Sequence, residues 1–60
     1  MYEVRTRNYE SRKWKTCTTF ATKLNADKFA IKLDLATRTN SEIEHIEVKN
    51  TFTGERYTIR

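Results

Sequence analysis

Two side chains of this chain carry the chemistry of a catalytic pair. Cys17 is its only cysteine and His45 its only histidine. A thiol beside an imidazole is a nucleophile with its base. The pair needs further parts: a residue that orients the imidazole, and donors that receive a developing oxyanion. The sequence supplies neither. Its single glycine, Gly54, stands in a turn-like Thr53-Gly54 step and not in a glycine-rich loop. One Cys and one His are also too few ligands for a zinc site of ordinary spacing. Asp27 and Asp34 lie seven apart on one side of a helix and read as a solvated flank. The expectation is a protein that is not an enzyme, needs no cofactor and holds no metal, with His45 at the surface.

The elements that would position these residues follow from periodicity. Tyr2, Val4 and Thr6 alternate with Glu3, Arg5 and Arg7, the period of a half-buried strand. Asn8 to Lys13 is polar and turn-like, with Tyr9 at its tip. Trp14 to Phe20 is a second strand, rich in threonine and aromatic residues. Paired as a hairpin with Tyr2 opposite Phe20, Val4 meets Thr18, Thr6 meets Thr16 and Asn8 meets Trp14. A helix follows, roughly Ala26 to Thr39. Asn25 is placed to cap it, with Leu24 and Phe29 at the spacing of a hydrophobic staple, Asp27 in the first turn and Arg38 near the end. Ile43 to Asn50 is a third strand. Thr53-Gly54 turns into a fourth, with Val48 opposite Ile59, Asn50 opposite Tyr57 and Phe52 opposite Glu55.

The order ββαββ predicts an α+β fold: a two-layer sandwich of one helix on a four-stranded antiparallel sheet. A right-handed crossover through the helix gives strand order 2-1-3-4. The covered face is expected to hold Tyr2, Val4, Trp14, Phe20, Ile46, Val48, Phe52, Tyr57 and Ile59. The open face is expected to hold Glu3, Arg5, Arg7, Lys15, Cys17, His45, Glu47, Lys49, Thr51, Arg56, Thr58 and Arg60, with Glu47 and Arg60 as a cross-strand pair.

The 60 residues make one small domain over 1–60. A domain of this size hides only about 60% of the surface its unfolded chain exposes. Seven aromatic residues (one Trp, three Tyr, three Phe) and clear patterning exclude a disordered chain despite 33% charged residues. No apolar run approaches the ~20 residues that span a bilayer, and no signal-like stretch opens the chain. A lone cysteine fits a reducing cytoplasm.

Two surfaces carry the functional expectation. The helix is apolar on two opposite faces. Ala26, Phe29, Ala30, Leu33 and Ala36 form one stripe, while Leu24, Ile31 and Leu35 fall on the far side. One sheet covers one stripe. The far side, Leu24, Lys28, Ile31, Lys32 and Leu35, is therefore a candidate contact for a protein partner or for a second copy in a homodimer, with the lysines steering acidic partners. The chain also carries a net charge of +4. Arg5, Arg7, Lys15, Lys49, Arg56 and Arg60 on the open sheet face are candidates for binding a phosphate backbone. That face is expected to lack the exposed rings on which single strands stack.

The segment Trp14-Lys15-Thr16, Thr19-Phe20-Ala21-Thr22, then Ala26 through Leu33 resembles the strand, phenylalanine, threonine, helix run of small phage and prophage proteins. From Tyr2 to Leu35 it is also similar to the arm-type DNA-binding domain of phage integrases, a three-stranded sheet backed by a helix. The second resemblance implies a sheet face seated on DNA through Arg5, Arg7 and Lys15. The chain departs from it in adding a hairpin after the helix. The first implies a modulator or inhibitor that occupies the surface of a protein in the host cytoplasm.

Overall fold

In a computed structural model, which describes residues 1–60, the chain forms β1 (Tyr2–Asn8), β2 (Trp14–Phe20), α1 (Lys23–Ala36), β3 (Ile43–Asn50) and β4 (Arg56–Thr58). The sheet order is β2-β1-β3-β4 with every neighbouring pair antiparallel. This is the α+β ββαββ architecture expected from the periodicity. The helix lies on one face. Val4, Ile46 and Val48 from the two central strands meet Ala26 and Ala30, all five fully buried. Tyr2, Phe20, Leu33, Ile43, Tyr57 and Ile59 pack around them, partly exposed.

The first hairpin holds the expected register only at its open end. Tyr2 faces Phe20 and Val4 faces Thr18, but Arg5 then faces Thr16, Thr6 faces Lys15 and Arg7 faces Trp14. Cys17 is the extra residue of a β-bulge. Because side chains alternate with period two, one inserted residue inverts every position beyond it. Trp14, expected in the core, lies on the open face. Lys15, expected on the open face, takes the register of Thr6 on the helix side. Cys17 also leaves the open face, its Sγ 3.7 Å from Thr6 Oγ1. A second bulge between Arg7 and Asn8 leaves Glu44 as the extra residue of β3 and turns Ile43 toward the core.

The helix begins and ends three residues earlier than expected. Thr22, in extended conformation, is the cap, and its hydroxyl accepts from the Asn25 amide. A cap at Thr22 places Leu24 and Asn25 inside the first turn, so Asn25 caps nothing and Leu24 forms no staple. Asp27 lies beyond that turn and pairs with Lys23, four residues back. Thr37 closes the other end, its amide and hydroxyl both donating to the Leu33 carbonyl. Arg38 is therefore outside the helix.

The second hairpin keeps its faces but not its pairs. Val48 faces Tyr57 and Glu47 faces Thr58, a shift of two residues. A two-residue shift preserves parity, so Tyr57 and Ile59 still turn inward. The cause is Asn50, whose side-chain oxygen accepts from the Phe52 and Thr53 amides and ends the strand in a wider loop. Gly54 takes the positive φ of 82° that this loop requires. Phe52, expected in the core, stands at the loop tip, 93% exposed.

Candidate functional site

The helix is held to the sheet at both ends. At its start, Lys23 Nζ lies 4.6 Å from the centre of the Tyr57 ring. Its hydrogen bond to Asp27 raises the Lys23 pKa above 10.5, and the bond from the Tyr57 hydroxyl to Glu55 raises the tyrosine pKa above 10.0. At its end, Arg60 is a clamp. Its guanidinium donates to the Asp34 carboxylate at 2.7 Å, the Asp34 carbonyl at 2.7 Å, the Thr37 hydroxyl at 3.0 Å and the Ile43 carbonyl at 3.4 Å. Arg60 is thus withdrawn from the open sheet face, and Glu47 does not pair with it.

With Ala26, Ala30 and Leu33 turned to the sheet, the opposite pole of the helix carries Leu24, Lys28, Ile31 and Leu35. At 3.6 residues per turn they fall within an arc about 60° wide. Leu24 is 64%, Ile31 51% and Leu35 56% exposed. Lys28 and Lys32 are exposed and make no ion pair. The flanking carboxylates differ: Asp27 is paired with Lys23, and Asp34 with Arg60. The face therefore presents aliphatic surface with an unopposed positive charge.

The open sheet face is knitted more tightly than its composition implies. Arg5 Nη1 donates to Glu47 Oε1 at 3.2 Å, and Glu47 is only 4% exposed. Arg7 Nε lies 3.6 Å from Glu44 Oε2. Trp14 covers part of this network: the Arg5 guanidinium carbon lies 5.3 Å from its ring centre, and the His45 ring stacks at 6.4 Å and 28°. His45 Nδ1 is 3.0 Å from the Arg60 carbonyl oxygen. Of the six cations expected to grip phosphate, Arg5 and Arg7 are paired with carboxylates. Lys15 is on the other side of the sheet and Arg60 is spent on the helix. Lys49 and Arg56 remain.

No protein-family model, no curated protein and no solved structure matches this chain.

Cys17 and His45 do not meet. Cys17 faces Thr6, and Thr6 and His45 lie on opposite sides of the sheet. A cleft of about 350 Å³ opens between the β1–β2 and α1–β3 loops, lined by Tyr9, Glu10, Ser41 and Glu42. The Tyr9 amide donates to the Glu42 carbonyl at 2.8 Å and ties those loops together. No helix is long and apolar enough to cross a membrane.

Three residues of consequence were hidden from the sequence. Trp14 on the open face depends on the Cys17 bulge. Glu44 as the partner of Arg7 depends on the second bulge. Arg60 as a helix clamp depends on the chain end curling past β4. None carries a local signal, because a bulge has no residue type of its own outside glycine.

Proposed function

We propose that this protein is a non-enzymatic binding module that seats its exposed helix face in an apolar, acidic-rimmed groove of another protein. The observation that carries the reading is the line of Leu24, Ile31 and Leu35, each more than half exposed, with unpaired Lys28 and Lys32 among them. Positions i, i+7 and i+11 are the anchors of a helix lying in a groove. Burying three such side chains is worth roughly 1.5–3 kcal/mol each. One helix face is small against the ~800 Å² per partner of a standard interface, so a groove that wraps the helix suits it better than a flat surface.

Charge selects an acidic protein over a second copy. Two helices docked in parallel set Lys28 against Lys28, and Lys32 of each then faces an Asp27 that is already paired with Lys23. Docked antiparallel, they set Lys32 against Lys32 and the aspartate flank against itself. An acidic rim meets both lysines favourably and speeds encounter. The effect on the partner is occlusion of the groove, the action of a modulator or inhibitor.

The test is zero-length carbodiimide coupling in an extract of the cells that make the protein, with joined peptides sequenced by mass spectrometry. Lys28 and Lys32 should link to aspartate or glutamate of one partner. Ile31→Asp and Leu35→Asp should abolish those links. Links only between two copies of this chain, or links that survive both substitutions, overturn the proposal.

A further inference from the structure

The open sheet face, opposite the helix, has a feature that its sequence pattern concealed. The Cys17 bulge brings the only tryptophan onto the same face as Arg5, Arg7, His45, Lys49 and Arg56. Trp14 and His45 are two strands apart in register, with Arg7 between them, yet their ring centres are 6.4 Å apart. The indole therefore leans across β1 toward β3, with the Arg5 guanidinium against it. Together the two rings form a platform across three strands.

We infer that this platform stacks a base of single-stranded nucleic acid, while Lys49 and Arg56 hold a phosphate further along the same strand. Base stacking on an aromatic side chain needs only a π-face and is tolerant of sequence. An arginine stacked on the indole and held by Glu47 pre-orders the ring, so little side-chain freedom is lost on binding. Lys49 and Arg56 face each other across β3 and β4 and form no ion pair. His45 and Lys49 are four residues apart on β3, about 13 Å at ~3.3 Å per residue. A single nucleotide does not bridge that span, so the ligand is an oligonucleotide. Between them lie the Arg5–Glu47 pair and the Thr58 hydroxyl, while the Thr16 hydroxyl is spent on Glu3, whose carboxylate stands opposite Lys49. A hydroxyl such as that of Thr58 donates to phosphate oxygens.

The charge ledger also fixes the character of the binding. Arg5 and Arg7 are already neutralised and the Glu3 carboxylate stands opposite Lys49, so at most about two cations meet phosphate. A single strand releasing counterions from two contacts gives a log–log salt slope near −1.4, at ~0.7 per phosphate. Binding is therefore weak, stacking-led and only mildly salt-dependent. A duplex, whose bases are not free to stack on an outside ring, gains nothing from Trp14. This face is separate from the helix pole, so both can be occupied together.

Trp14 reports on its own occupancy, since no other tryptophan contributes to the fluorescence. A ten-nucleotide oligothymidine titrated at low salt should quench it. A fluorescein-labelled copy of the oligonucleotide, followed by anisotropy, gives affinities for the variants. Trp14→Leu should lose about tenfold or more, and Trp14→Phe should recover part of that loss, as stacking worth ~1–3 kcal/mol per base implies. Lys49→Gln with Arg56→Gln, neither of which hydrogen-bonds to the Arg5–Glu47 pair, should lose a similar factor while circular dichroism stays unchanged. This second variant keeps the test valid if Trp14→Leu disturbs the sheet. Ile31→Asp should leave the affinity untouched. The inference is overturned by absence of quenching at low salt, by equal quenching with thymidine monophosphate, by equal affinity for a duplex, or by wild-type affinity in the Lys49→Gln, Arg56→Gln protein.

Discussion

Ala30 and Ile31 are adjacent in sequence and stand on different sides of one helix. The inner pole is centred on two alanines, Ala26 and Ala30, fully buried against Val4, Ile46 and Val48, with Leu33 partly buried beside them. The outer pole is made of Leu24, Ile31 and Leu35, each more than half exposed. A self-sufficient domain would place its large side chains inward. Here the small inner residues let the helix sit close to strands that supply the bulk of the core. The large residues are left over. The difference teaches that the helix is doing two separate jobs, and that its aliphatic surplus is directed away from its own fold.

That contrast can be broken most severely at the inner pole. Ala30→Asp buries a carboxylate with no cation to meet it, at a cost of several kcal/mol. A single core in a chain this short rarely supplies more than about 3–5 kcal/mol. The variant should therefore be unfolded by circular dichroism at room temperature. The same change one residue along, Ile31→Asp, should leave the spectrum and the melting curve in place.

The attachment of the helix is the next lever. Arg60→Ala removes three hydrogen bonds to the helix end and a fourth to the Ile43 carbonyl, and strands the Asp34 carboxylate. Both partners are mostly shielded, 21% exposed, so the loss should be about 2 kcal/mol in urea unfolding. Hydrogen exchange should accelerate first near Asp34 to Thr37. Thr22→Ala removes the N-cap and should cost about 1 kcal/mol. Asn25→Ala, at the position the sequence favoured as cap, should cost far less.

The smallest effect is alkaline. Lys23 and Tyr57 both hold their protons more tightly in the folded chain, through Asp27 and Glu55 respectively. A raised native pKa gives stability that is complete below the unfolded pKa and disappears as pH rises through the folded one. The urea midpoint should therefore fall slightly as the pH rises above about 10, through the tyrosine and then the lysine. Tyr57→Phe should remove the tyrosine part of that slope.

The sequence carried the architecture because alternation and helical period are robust to local slips. Tyr2 opposite Phe20, Val4 opposite Thr18 and the order 2-1-3-4 all emerge from patterning and one handedness rule. The outer helix residues were legible for the same reason: they need only a count of 100° per residue, and a cap displaced by three residues does not rotate the helix faces. The sheet face was not legible. A single extra residue at Cys17 inverts Trp14, Lys15 and Thr16 together, and nothing in Thr16-Cys17-Thr18 marks it. Parity alone also misled at Phe52, because the side-chain turn made by Asn50 takes that residue out of the ladder. Errors of two residues were harmless to the faces, and errors of one were not.

The most direct measurement is urea unfolding of a triple variant, Leu24→Gln with Ile31→Gln and Leu35→Gln, beside the wild-type protein. Glutamine is a good helix former, so the substitutions remove aliphatic surface without weakening the helix. If the outer pole is surplus to the fold, the unfolding free energy should stay within about 0.5 kcal/mol of wild type. A loss of about 2–5 kcal/mol, the size expected for truncating a buried leucine or isoleucine, would show that these side chains belong to the core and would contradict the account.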